Sequence, residues 1–387
     1  NSQEGVYTLV TRGFDETRYS LIKSISSVEA AVRGTEKIID TLTDVRTHIV
    51  SMTVTEKAYG VIRETGAIDT SHPSIKYDLE NPSNPKGIIG FIVHALALRK
   101  ANSIPPFTVL CCDNLPQNGD LVKSAVLDFA ISIGNSELAA WIEEKGAFPN
   151  SMVDRITPAT TSNLLVEVSD YLGVADITPI ETEAFSQWVV EDKFVTDRPR
   201  WEDVGVIFVD DVAPYEKMKL RMLNGSHSLI AYSGFLCGNK FVRDVMADNC
   251  LSQLVKSYMQ AASDTLEPLK GMSFATYAEQ LIERFKNPNI AHETYQIAMD
   301  GSQKLPQRIF EPALHAAQNN NSMDMFALAT SAWIRYCSGF DENGNQYSLR
   351  DPREDELLNA YSSGNNCAEK ICAKFLNCKI FCKLSYL

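Results

Sequence analysis

The densest group of reactive side chains in the sequence is Glu216-Lys217-Met218-Lys219-Leu220-Arg221-Met222-Leu223-Asn224-Gly225-Ser226-His227. Read as a helix, Glu216 and Lys219 are three apart, and so are Asn224 and His227, so each pair shares a face. His227 then lies about 80° around the axis from Lys219. An amine, an amide and an imidazole so placed suit oxidation of an alcohol without a metal. A lysine with lowered pKa takes the hydroxyl proton, and an amide donates to the oxygen as charge develops on it. The same spacing also fits a plain amphipathic helix with solvated lysines and a terminal Asn-Gly, which by itself is the commoner meaning.

The six histidines, at 48, 72, 94, 227, 292 and 315, form no HxxxH, and the nine cysteines form no CxxC. No metal site is therefore expected. Cys111, Cys112 and Cys237 read as buried thiols of a reducing cytosol rather than as a disulfide framework. The net charge of −13 disfavours nucleic acid and anionic lipid as partners, which leaves small molecules. An anionic small molecule would need Lys and Arg to line its pocket. No apolar stretch is long enough to span a bilayer, and a cytoplasmic location is expected.

At 387 residues, two domains are expected. The first half alternates strand-like and helix-like segments, the pattern of an α/β domain with a parallel sheet. Strands are expected at 6–10, 48–54, 107–112 and 204–209, and helices at 87–100 and 119–133. Glu56, Lys57, Asp113 and Asn114 follow two of these strands, where open parallel sheets collect ligands. Asp113 is better explained as a turn or cap. Beyond 208–213, segments 214–241, 274–285, 291–299 and 312–336 run at helical period. The domains are thus placed at 1–210 (α/β) and 211–364 (mostly helical), with an atypical Cys/Lys-rich tail at 365–387. The tail reads either as a short amphipathic helix or as sequence foreign to the rest.

Lys219-x4-Asn224-x2-His227 resembles the catalytic signature of the polyol-specific long-chain dehydrogenase/reductases, the family of mannitol 2-dehydrogenase and fructuronate reductase. Thr53–Tyr59, Cys112–Leu115, Met152–Pro158, Gln187–Phe194 and Asp300–Arg308 resemble further family blocks in the same order. The resemblance covers about residues 5–355 and implies a Rossmann-like domain followed by a helical one. It implies hydride transfer between NAD (NADP being left open) and a small polyol, ketose or uronate. It implies Lys219 as general acid/base, Asn224 and Asn114 as the oxyanion hole, His227 as a substrate-orienting group and Glu216 as a proton relay. Asp154 and Lys304 match residues beside the substrate, although Asp154-Arg155 reads equally as a structural ion pair. Gln296 stands where mannitol-type members carry arginine and looks more like the fructuronate reductase branch.

The glycine-containing turn that grips the cofactor pyrophosphate in such proteins has no counterpart here. The Rossmann-like domain is therefore expected to be incomplete, missing an N-terminal strand–turn–helix, with weak NAD binding as the consequence. Glu56 and Lys57 are the remaining candidates for cofactor contact. The alternative is a non-catalytic fragment or binding remnant of such an enzyme.

Overall fold

The run Phe107–Cys112 has apolar residues on both faces, and it forms the fully buried strand β4 (Thr108–Cys111). A strand buried on both sides needs layers above and below it. These come from α3 (Ile88–Ala101), α4 (Asn118–Ser132) and α5 (Ser136–Lys145). Ile92, Leu96, Val122, Val126, Phe129 and Ile142 close over Met52, Val109 and Cys111 as one core. β3 (Ile49–Met52) pairs with β4 in parallel register, Ile49 opposite Thr108 and Met52 opposite Cys111.

The computed structural model describes residues 3–62, 65–269, 272–365 and 367–377. It divides into two compact units, Asn1–Arg12 with Thr17–Ala213 and Gly13–Glu16 with Pro214–Leu387. In the first, β1 (Tyr7–Arg12) lies between β2 (Thr17–Ile22) and β6 (Ile180–Glu183). A third sheet has the order β5 (Ser151–Asp154), β7 (Gln187–Glu191), β8 (Ile207–Val209). The expectation of a parallel sheet holds for β1–β6, β3–β4 and β7–β8; β1–β2 and β5–β7 are antiparallel. The remaining helices of this unit are α1 (Glu36–Thr43), α2 (Pro73–Glu80) and α6 (Ser162–Leu172).

From α7 (Ala213–Met218) onward the chain is helical. It continues through α8 (Gly225–Leu236), α9 (Val242–Ala247), α10 (Asn249–Ser263), α11 (Phe274–Lys286), α12 (Thr294–Ile297) and α13 (Gly301–Leu305). α14 (Glu311–Gln318), α15 (Asp324–Tyr336), α16 (Glu354–Ser362) and α17 (Ala368–Asn377) follow. α8 is central and apolar on nearly all sides, with Leu229, Ile230 and Tyr232 buried beside Tyr258, Phe326 and Trp333. The segment 312–336 is two helices rather than one, broken at 319–323, and only Thr294–Ile297 of 291–299 is helical.

Cys237 is exposed, not buried, because it falls just past the end of α8, whereas Cys111 is buried as expected. In the tail, Cys367 and Cys372 belong to the α17 region, and Ile371 packs against Gly364. Cys378, Cys382, Lys379 and Lys383 lie outside the described residues. No described helix is long and apolar enough to cross a membrane.

Candidate active site

α7 does not run straight into α8. Lys219–Asn224 forms a π-helical turn between them. Such a turn takes up one extra residue, which removes about 100° from the angle expected for a regular helix. The separation of about 80° between Lys219 and His227 thus shrinks to about 20°, and Asn224 moves from about 140° to about 40°. The turn gathers all three onto one face more closely than regular helix geometry allows. Lys219 is buried, 8% exposed, while Glu216, Asn224 and His227 are half-buried.

The turn is anchored from within. Arg221 is buried and donates to the Thr265 carbonyl (2.7 Å) and hydroxyl (3.0 Å), and pairs with Glu311 at 3.1 Å. Behind Asn224, the next position has no room for a side chain. A Cβ on Gly225 would lie 2.1 Å from the Tyr258 hydroxyl and 3.0 Å from the Arg308 carbonyl oxygen. A second π-helical turn, Pro306–Phe310, joins α13 to α14, and its leading proline supplies no N–H to a regular ladder.

His227 tilts against Phe285 at 4.7 Å and meets His292 edge-on at 5.2 Å between ring centres. Burial, and then the positive fields of His292, Arg308, Arg284 and Lys219, hold its pKa well below 6.5. It is therefore a neutral imidazole at neutral pH, able both to donate to and to accept from a hydroxyl. Lys304 is half-buried on α13, donating to the Met299 carbonyl at 2.6 Å with Asp300 3.9 Å away. Burial is the main cause that lowers its pKa, followed by the charge of Arg308. Gln296 is on α12 and exposed.

In the first unit, Asn114 is exposed just past the end of β4. Asp113 beside it is a turn residue: its carboxylate accepts from Val54 N (2.9 Å), Thr55 N (3.2 Å) and the Tyr59 hydroxyl (2.7 Å). Asn118, fully buried, donates to the carbonyls of Asp113 (3.0 Å) and Ser151 (2.8 Å) and accepts from Ser151 N (2.9 Å), so it fixes the turn that carries Asn114. Asp154 is buried at the end of β5, opposite Gln187 in register. The ion-pair reading of Asp154-Arg155 needs correction on the arginine side, because Arg155 donates to the Glu183 carbonyl at 3.2–3.3 Å. Glu56 and Lys57 open a short 3-10 turn, Glu56–Tyr59, after β3, and Lys57 is exposed. Among the described residues, no three His, Cys, Asp or Glu are grouped so as to hold a metal ion.

Sequence reading gave no role to four side chains around this site: His292, Tyr258, Arg284 and Arg308. Arg308, four residues after Lys304, and His292, four residues before Gln296, both stood in blocks already singled out.

Residues 1–203 match the mannitol dehydrogenase Rossmann domain, and residues 211–382 match the mannitol dehydrogenase C-terminal domain. The chain belongs to the mannitol dehydrogenase family. The D-mannonate oxidoreductase of Escherichia coli is 45% identical over 366 residues, 94% of this chain and 75% of that protein. The mannitol 2-dehydrogenase of Pyrenophora tritici-repentis is 39% identical, over 92% of this chain and 63% of its own. Among solved structures, the mannitol 2-dehydrogenase of Pseudomonas fluorescens, a ternary complex with NAD and D-mannitol, aligns with a TM-score of 0.80 at 38% identity. That alignment covers 98% of this chain and 76% of the other. A substrate-free D-sorbitol dehydrogenase aligns with a TM-score of 0.87 at 31% identity, covering 96% and 81%. The protein is accordingly an enzyme, an oxidoreductase with an N-terminal Rossmann domain and a helical C-terminal domain. Relatives of this kind do not favour the reading as a non-catalytic remnant.

Proposed function

We propose that this protein interconverts a sugar alcohol or aldonate with the corresponding keto sugar, using NAD and Lys219 as general acid/base, without a metal. The observation that supports the reading is the π-helical turn Lys219–Asn224, in which Lys219 is buried; the extra residue of such a turn brings Lys219, Asn224 and His227 toward one face. The names of the relatives, a D-mannonate oxidoreductase and mannitol 2-dehydrogenases, support the substrate class, and the NAD-bound relative supports the cofactor.

The cofactor's fit differs between its two ends. Asn114, Thr53, Thr55 and Lys57 are exposed at the ends of β4 and β3 and offer amide, hydroxyl and ammonium groups suited to the nicotinamide half. The helix N-termini nearby are closed. Asp78 accepts from Lys86 N (2.7 Å) and Gly87 N (2.9 Å) ahead of α3, and Asn150 accepts from Gly119 N (2.9 Å) and Asp120 N (3.1 Å) at α4. Neither is available to a pyrophosphate, so the proposal assigns no residue to it.

A nicotinamide cofactor, when bound, would supply the hydride acceptor for oxidation of the alcohol carbon. Lys219, in its unprotonated form, accepts the hydroxyl proton as the C–O bond becomes a carbonyl, and Glu216 passes that proton onward. Asn224, with Asn114 as a second amide, donates to the oxygen while it carries negative charge. His227, neutral, orients a neighbouring hydroxyl, and Lys304 and Asp154 bind further hydroxyls. Gln296 is a candidate contact in the same role. Assays of the protein with D-mannitol and with D-mannonate, each with NAD and with NADP, test the reading. Reduced cofactor and keto sugar are expected in equal amounts, with NAD preferred; no turnover of any polyol or aldonate would overturn it.

A further inference from the structure

The chain carries a net charge of −13, yet its candidate site gathers cations. Lys219, Arg284 and Arg308 all act on His227, and Arg308 acts on Lys304 as well. Arg308, which is half-buried, differs from Arg12, Arg99 and Arg221. Arg12 has two carboxylates at 2.5 and 2.7 Å, Arg221 has Glu311 and Thr265 at 2.7–3.1 Å, and Arg99 has three carbonyls at 2.7–2.9 Å. Arg308 has two contacts, both from Nη1 and both at 3.5 Å, to the Asn224 carbonyl and the Ser228 hydroxyl. Among the described residues no carboxylate comes within ion-pair distance of it.

A guanidinium carries five donors in a planar fork and is costly to withdraw from water unless acceptors replace that water. Burial pulls the pKa of Arg308 below its ordinary value, and only the hydroxyls of Tyr232 and Tyr258 oppose that shift. Two acids bear on this corner, Asp300 and Asp351, and both act on Lys304. Asp351 is already occupied by Ser302 N (2.8 Å), the Ser302 hydroxyl (2.5 Å) and Arg353 N (2.9 Å). The Nη1 contacts place the head of Arg308 against the 224–228 turn, the turn that also carries His227. The missing counter-charge is therefore expected from a bound molecule, and a carboxylate matches the fork in geometry and charge.

Resting on the function proposed above, we infer that Arg308 binds the carboxylate of the substrate. The enzyme then prefers an aldonate and its keto-acid counterpart over the neutral alditol.

The test compares D-mannonate with D-mannitol, which differ only at C1, in the wild-type protein, Arg308→Gln and Arg308→Lys. The wild type should show the higher kcat/KM for D-mannonate. In Arg308→Gln the mannonate-to-mannitol ratio of kcat/KM should fall about thirtyfold or more, through KM, since that variant loses a charged partner. Arg308→Lys, which keeps the charge and loses the fork, should recover part of the ratio. A ratio equal in all three proteins would make Arg308 a packing residue and overturn the inference. Should Arg308→Gln lose its fold by circular dichroism, the wild type decides. KM for D-mannonate should rise with ionic strength while KM for D-mannitol stays level, and parallel behaviour of the two would overturn the inference. Turnover of D-mannitol without D-mannonate sinks only this inference; turnover of neither sinks the proposed function beneath it.

Discussion

Gly225→Ala tests how tightly the site depends on the packing behind it. The new methyl would stand 2.1 Å from the Tyr258 hydroxyl, 2.9 Å from its ring carbon Cζ and 3.0 Å from the Arg308 carbonyl oxygen. Tyr258 is fully buried, and its hydroxyl donates to that same carbonyl at 3.0 Å, so it cannot retreat without breaking the bond. Overpacking of this kind costs about 1–3 kcal/mol. A buried carbonyl left without its donor adds about 1–3 kcal/mol. A loss of about 2–6 kcal/mol from the second unit is therefore expected, read by chemical or thermal denaturation. Asn224 and His227 stand on either side of Gly225, and a displacement near 1 Å at such a site costs about 10²-fold in kcat/KM. Tyr258→Phe removes the 2.1 Å contact and leaves the 2.9 Å one. The double variant should thus lose less than the sum of the single losses, by about 0.5–3 kcal/mol. The reasoning fails if Gly225→Ala costs less than about 0.5 kcal/mol, or if the two losses simply add.

Two further outcomes follow from the same geometry. Asn118→Ala should cost about 2–4 kcal/mol, since it leaves buried carbonyls of Asp113 and Ser151 and the Ser151 N–H without their partner. It should also lower kcat/KM by loosening the turn that carries Asn114, and wild-type stability in denaturation would show that this turn is held elsewhere. His227 has a folded pKa depressed below 6.5, so the unfolded chain binds the extra proton first as pH falls. Its stabilising contribution is complete above about 6.5 and is lost as pH falls toward the folded value. Melting temperature should therefore drop on acidification through this window, and the drop should be shallower in His227→Gln; equal slopes would refute the assignment.

The helices α3 and α4 and the strands β3 and β4 were legible in the sequence because each buries a continuous apolar face. β5 and β6 were not, because two of the four residues in Ser151-Met152-Val153-Asp154 and three of the four in Ile180-Glu181-Thr182-Glu183 are polar. Their polar groups are satisfied by partners distant in sequence, as where Glu183 accepts from Ile156 N, 27 residues away, at 2.7 Å. The cluster of Lys219, Asn224 and His227 was legible as a set of residue types and as a family signature. Its true angular arrangement was not, because a count at 3.6 residues per turn cannot foresee a π-helical turn. That turn is held by Arg221 through Thr265 and Glu311, contacts 44 and 90 residues away in sequence. Arg308 went unread for the opposite reason: its significance lies in lacking a counter-ion, which only coordinates reveal.

The most direct test of the account is the turnover of Lys219→Ala with NAD and whichever of D-mannonate or D-mannitol the wild type oxidises faster. Removing a general base lowers the rate by about 10²–10⁴-fold, so kcat should fall by that much while affinity for NADH is retained. A Lys219→Ala protein that keeps more than roughly a tenth of the wild-type kcat would contradict the assignment of Lys219 as the base, and with it the proposed mechanism.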